Sequence, residues 1–194
     1  MTITHNTNLE KTIHRSNQTK LSLINHKKNI NRIIDVITKK LKRNGKIFLC
    51  GNGGSAADAQ HLAAEFLVRL RPNVNRNPIP AISLALDTST ITACGNDYSF
   101  DEIFSRNLEG IGVSGDLLLC LSTSGNSKNI VEVLKKAKQK KITSLSILGN
   151  LGGKAKKLSD YNIIIPSSNT ALIQEEHLFL GHYILNEVEK KLLA

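Results

Sequence analysis

Five short apolar runs punctuate the chain, at 46–50, 81–85, 117–121, 143–148 and 162–165. Most are continuously apolar rather than alternating, which is the pattern of strands covered on both faces, as in a parallel sheet. Between them the spacing shifts to a helical period. Residues 24–42 place Ile30, Ile33, Ile34, Ile37 and Leu41 on one face. Further helices are predicted over 55–70, 100–110, 129–140 and 170–192. Strands alternating with helices predict an α/β layered domain with right-handed crossovers. Residues 71–80, with three prolines and three asparagines, read as a loop. No internal repeat or low-complexity segment interrupts the pattern. Residues 24–194 read as one domain. Residues 1–23 read as an N-terminal extension, either a frayed end or a helix that packs on a partner subunit.

Composition narrows the class. A chain of 194 residues, 40% of them apolar, can bury one core. No apolar run approaches the roughly 20 residues needed to cross a bilayer, so no membrane association is expected. The polar N-terminus has no apolar h-region of a secretory signal. Cys50, Cys94 and Cys120 are odd in number and form no C-x-x-C pair, which argues against a disulfide framework or a zinc ribbon. Cys50 and Cys120 lie inside apolar runs and read as buried small hydrophobes in a reducing cytoplasm. The net charge of +10 collects in Lys27-Lys28, Lys39-Lys40, Lys42-Arg43 and residues 135–141. Aromatics make up only 4% and none alternate with these lysines, so the charge reads as solvated helix faces and no nucleic-acid partner is expected.

Two strand ends carry candidate chemistry, since ligands of open parallel sheets bind at the carboxyl ends of strands. The first is Cys50-Gly51-Asn52-Gly53-Gly54-Ser55, leading into a helix. Its glycines permit a sharp turn, and the helix start offers free N–H groups to an anion. It is not a Walker loop, because no Gly-Lys-Ser/Thr follows. The second is Ser122-Thr123-Ser124-Gly125-Asn126-Ser127, with four hydroxyls in six residues. One cap needs one hydroxyl; the surplus suits a phosphate dianion. His61 and Glu65 share a face at i and i+4, as an ion pair, an acid–base pair or two metal ligands. On the last helix Gln174 and His182 are eight apart, roughly 80° around the axis.

At these residues the sequence resembles the SIS (sugar isomerase) family, and within it the isomerases of heptose phosphates. The stretches that carry the resemblance are 51–65 (GNGGSAADAQHLAAE), 93–106 (ACGNDYSFDEIFSR), 121–129 (LSTSGNSKN) and 173–182 (IQEEHLFLGH). Their order and spacing are similar to the family from about residue 24 to the end. The resemblance implies the SIS fold, a three-layer α/β/α domain around a five-stranded parallel sheet with an N-terminal helical extension. It implies conversion of sedoheptulose 7-phosphate to D-glycero-D-manno-heptose 7-phosphate through an enediol, the first step toward ADP-heptose and the lipopolysaccharide core. It also implies a homotetramer with active sites between subunits.

In that resemblance Glu65 is the base and His182 the group that handles protons on the sugar oxygens. Ser122, Thr123, Ser124 and Ser127 hold the phosphate, with Ser55 assisting. Asn52, Gly53, Gly54, Asn96, Asp97 and Gln174 contact the substrate. Some relatives bind zinc at positions matching His61, Glu65, Gln174 and His182, so one Zn2+ per subunit is expected, its role open. Leu151 departs from the pattern, standing before Gly152-Gly153 where relatives often have Asp. The alternative within the same fold is a non-catalytic protein that binds a replication initiator. Such a protein need not keep Glu65 and His182, and this chain has both.

Overall fold

The computed structural model describes residues 6–194, so the first five residues of the extension lie outside it. The elements run α1 (Asn6–Ser22), α2 (Lys27–Leu41), β1 (Ile47–Cys50), α3 (Gly54–Leu67), β2 (Ala81–Ser83), α4 (Thr88–Asp97) and α5 (Ile103–Ile111). They continue with β3 (Leu117–Ser122), α6 (Lys128–Gln139), β4 (Thr143–Leu148), α7 (Ala155–Leu158), β5 (Tyr161–Ile164) and α8 (Thr170–Leu193). Short 3-10 turns at Leu23–His26 and Phe100–Glu102 lead into α2 and α5.

The five strands form one parallel sheet in the order β2-β1-β3-β4-β5. Both faces are covered, which is why β1 and β3 at the centre read as unbroken apolar runs. In β1 and β3, Ile47, Leu49, Leu117, Leu119 and Leu121 face a core shared with α2, α3 and α8. The alternate residues Phe48, Cys50, Leu118 and Cys120 face a second core under α5, α6 and α7. Each such buried aliphatic side chain contributes about 1.5–3 kcal/mol. The result is the expected three-layer α/β/α domain. All three cysteines are free and buried, as the apolar runs around Cys50 and Cys120 led one to expect for those two.

The strand and helix expectations hold to within a few residues, the helical extension included; the differences are the end of β2, the helix α4 and the four-residue α7. The run at 81–85 is a strand only through Ser83, where the chain bends toward α4. The extension is helical: α1 lies against α8, with the Ser16 hydroxyl donating to Glu175 Oε2 at 2.7 Å and Lys20 Nζ 3.9 Å from Glu176 Oε1. Helix α4 has no apolar stripe to announce it. Asp87 caps it instead, accepting from the Ser89 N–H at 3.0 Å and from the Thr90 hydroxyl.

Candidate active site

The strand order reverses between β1 and β3. β1 connects outward to β2, whereas β3 connects onward to β4 on the other side. In doubly wound sheets that crevice is where ligands bind. The two loops singled out in the sequence are the carboxyl-terminal exits of these two strands, whose register ends at Cys50 opposite Cys120. They feed α3 and α6.

The starts of these two helices have no side-chain cap. Ser127 is the N-cap of α6 and Gly53 that of α3, and neither supplies a side-chain hydrogen bond. By contrast α4 and α8 are capped by Asp87 and Asn169. The N–H groups of the first turn of α6 are therefore open to an anion, whereas in α3 those of Ser55 and Ala56 already donate to the Asn52 and Gly53 carbonyls. Within the serine loop the hydroxyls divide. Ser122 Oγ accepts from the Gly125 N–H and Ser124 Oγ from the Asn126 N–H, both at 3.1 Å. These two shape the turn, and Ser127 leaves its hydroxyl out of capping. Ser55 is buried in the first turn of α3, with its N–H on the Asn52 carbonyl at 3.0 Å.

His61, Glu65 and His182 come together where α3 and α8 lie side by side. His61 Nε2 is 2.8 Å from His182 Nε2, one ring donating and the other accepting, and 3.8 Å from Glu65 Oε1. Glu65 Oε2 is buried without a hydrogen-bond partner. Gly181 makes the approach possible. A Cβ there would stand 2.5 Å from Leu62 Cδ1, so any larger residue would push α8 away from α3 next to His182. Burial holds the His182 imidazole below its usual pKa, His61 adds to this, and Glu65 acts against it. Two turns back along α8, the Gln174 amide packs on Gly54, with Nε2 2.4 Å from where a Cβ would be. The structure thus sets Gln174 beside the glycine loop. Asn96 and Asp97 close α4, exposed, with Asn96 donating to Asp97 Oδ1 at 2.8 Å. Among the described residues neither bonds to another member of the site.

Among the described residues no group of three or more His, Cys, Asp or Glu side chains is arranged to hold a metal ion. The donor set itself suits zinc: two imidazoles with facing nitrogens and a carboxylate oxygen without a partner. Two nitrogens on one tetrahedral zinc stand about 3.3 Å apart, against 2.8 Å here. Taking up the ion therefore needs a slight parting of the rings and an approach by Glu65.

Three features of the site had no clear sequence signal. Asn52 and Asn129 pair their amides across the two loops, at 2.9 and 2.8 Å. The turn after β4 locks onto the serine loop: the Asn126 side-chain oxygen accepts from the Lys154 N–H at 3.0 Å, and Gly125 O from the Ala155 N–H at 2.9 Å. Leu151 projects from that turn, 87% exposed. Arg76, in the loop after α3, donates to the carbonyl oxygens of Glu65 and Phe66 at 2.8 and 2.9 Å, tying down the turn that carries Glu65.

Known proteins resemble this chain in sequence and in fold. The SIS domain profile matches residues 15–149. The chain is 46% identical over 165 residues to a phosphoheptose isomerase of Clostridium acetobutylicum, covering 85% of this chain and 83% of that one. It is 42% identical to that of Sulfurimonas denitrificans over 189 residues, 96% of each. Among solved structures, phosphoheptose isomerase GmhA from Neisseria gonorrhoeae superposes with a TM-score of 0.87 at 34% identity, covering 94% of this chain and 97% of that one. A phosphoheptose isomerase from Francisella tularensis gives 0.91 at 31% identity, with 97% and 100% covered. Identity at this level over most of the chain, with TM-scores of 0.87 and 0.91, means that the chain belongs to the SIS domain family, in its phosphoheptose isomerase branch.

Proposed function

We propose that this chain is an aldose–ketose isomerase that converts sedoheptulose 7-phosphate to D-glycero-D-manno-heptose 7-phosphate, with Glu65 and His182 moving the protons. The observation that carries the reading is the meeting of Glu65 and His61 of α3, the helix that starts at the glycine loop, with His182 of α8. About 16 Å of helix separates Gly54 from Glu65. That separation suits a substrate whose phosphate and reacting carbons lie at opposite ends. The phosphate sits at the free start of α6 and Ser127, with Thr123, Ser122 and Ser124 around it, and Ser55 nearby. Asn52, Gly53, Gly54, Asn96, Asp97 and Gln174 contact the sugar.

The proton steps follow from the side chains. Glu65, with one oxygen unpaired, takes the proton from C1 while His182 gives one to the C2 carbonyl oxygen, leaving an enediol. Glu65 returns its proton to C2 and His182 recovers one from the C1 hydroxyl, which becomes the aldehyde. No proton is gained or lost. His182 serves both steps because burial and His61 favour its neutral form, able to accept as well as to donate. Anchoring the remote phosphate holds the reacting carbons in place between the two groups.

His61, Glu65 and His182 would hold a zinc ion, with Gln174 as fourth ligand. When bound by all four side chains it would fix their positions, with no open coordination place for a sugar oxygen; a ligated Glu65 and His182 would not be free as base and acid, so the proton steps above belong to the site without the ion. Assembly into a homotetramer with active sites between subunits fits the apolar surface beside α8. Leu21, Ile24, Phe179 and Tyr183 are exposed around a groove of about 440 Å³ that a second copy would cover. A cytoplasmic place fits an enzyme that opens heptose biosynthesis, and no described helix is long and apolar enough to cross a membrane. The initiator-binding alternative has no support in the relatives named above.

Turnover of sedoheptulose 7-phosphate by purified protein tests the reading, with Glu65→Gln and His182→Gln beside it. Each variant should stay folded and lose about 10²–10⁴-fold in kcat. A wild type idle both with and without added zinc would overturn the assignment.

A further inference from the structure

Asn129 is the second residue of α6, 2% exposed, and its side chain caps nothing on its own helix. It reaches instead to the other loop. Its Nδ2 donates to Asn52 Oδ1 at 2.8 Å and its Oδ1 accepts from Asn52 Nδ2 at 2.9 Å. Below this pair the sheet ladder holds β1 and β3 together as far as Cys50 and Cys120. Beyond the ladder, the paired amides are the only hydrogen bonds between the two loops among the described residues.

We propose that Asn129 is a positioning residue for the isomerase reaction. It fixes Asn52, and with it the gap between the glycine loop and the serine loop. The inference rests on the isomerase reading and adds a residue to it. An amide can donate twice and accept twice. Once paired, Asn52 keeps one N–H and one lone pair, held in a single orientation and free for a sugar hydroxyl. Without Asn129 that amide rotates, and the loop that meets the sugar loses its tie to the loop that meets the phosphate. A misplacement of about 1 Å is enough to cost on the order of 10²-fold in rate.

The test is a double-mutant cycle on the full-length protein: kcat and KM for sedoheptulose 7-phosphate in wild type, Asn129→Ala, Asn52→Ala and the double variant. Calorimetric binding of the same sugar phosphate and a thermal melt accompany each. Asn129→Ala should lose roughly 10–100-fold in kcat/KM, and the double variant should be no worse than Asn52→Ala alone. The nearly isosteric Asn129→Asp adds a second readout. Its carboxylate repels Asn52 Oδ1 but its protonated form restores the pair, so its activity relative to wild type should rise as the pH falls toward 5. Equal kcat/KM in wild type and Asn129→Ala, or losses that multiply in the double variant, would overturn the inference while leaving the isomerase reading intact. If wild type binds the sugar phosphate without turnover, the isomerase reading fails, and the same cycle read by dissociation constants decides the role of Asn129. A wild type that neither binds nor turns it over overturns both.

Discussion

Arg76 and Glu189 form a buried ion pair that fastens the loop after α3 to the far end of α8. Their side chains are 3% and 0% exposed. The same guanidinium reaches the carbonyl oxygens of Glu65 and Phe66, and Arg71 joins Glu189 from the rim at 2.7 Å. Breaking a buried pair costs more than the pair contributes, because the remaining charge stays desolvated. Arg76→Ala should therefore destabilise the fold by roughly 3 kcal/mol, Arg71 sparing it a larger loss. It should also lower kcat, by loosening the turn that carries Glu65. Denaturant titration and turnover on the same preparation check both, and an unchanged unfolding midpoint would contradict the account.

His177 offers a pH test. It is fully buried on α8, with Nδ1 4.0 Å from Asp58 Oδ2. Burial pushes its pKa down from the usual 6.5 to about 4. The unfolded chain therefore takes up this proton before the folded one. The stability it contributes is complete above about pH 6.5 and falls away between there and pH 4, by roughly 3 kcal/mol in all. Asp58 works the other way. Burial raises its carboxyl, partly offset by His61, so its contribution is present below the unfolded carboxylate range and lost as pH rises through the folded value. His177→Leu removes the first effect alone. Denaturant midpoints at pH 7.5 and 5 should then lie closer together than in wild type, and an equal gap would remove His177 as the cause.

What was legible in the sequence is what local pattern dictates. β1 and β3 stood out because burial on both faces leaves no polar alternation, and His61 with Glu65 because one helix sets their spacing. α4 was hidden because its ten residues, TSTITACGND, carry little apolar periodicity and depend on the Asp87 cap. Prolines and asparagines marked 71–80 as a loop, yet Arg76 within it is buried because Glu189 waits on another element. The meeting of His182 with His61, and of Asn129 with Asn52, likewise depends on helix and strand packing that spacing along the chain does not express. Gly181 is the one local trace of it.

The zinc proposal is checked by metal content. Protein purified after growth with zinc should carry close to one ion per chain, measured by mass spectrometry. His61→Ala and His182→Gln should each lose most of it, since each removes one of the two facing nitrogens. Gln174→Ala should lose less, because that amide must swing away from Gly54 to reach the ion. Full zinc content in His61→Ala would exclude His61 from the set.

Ser127 and Ser122 separate binding from architecture within one loop. Ser127 precedes α6 without a side-chain cap bond, so removing its hydroxyl takes nothing from the free protein. A hydrogen bond to a charged group is worth about 1.5–3 kcal/mol. Ser127→Ala should therefore cost roughly 10–100-fold in kcat/KM, mostly as a higher KM, at unchanged thermal stability. Ser122 is buried and its Oγ satisfies the Gly125 N–H. Gly125 holds a φ of +65°, and a Cβ there would stand 2.1 Å from Gly152 O, so the turn has little room to adjust. Ser122→Ala should lower stability by about 1–3 kcal/mol, the cost of an unsatisfied buried donor, as well as activity. A Ser127→Ala melt that falls as far as that of Ser122→Ala would show the hydroxyls to be structural alike, and would move the phosphate to the helix N–H groups alone.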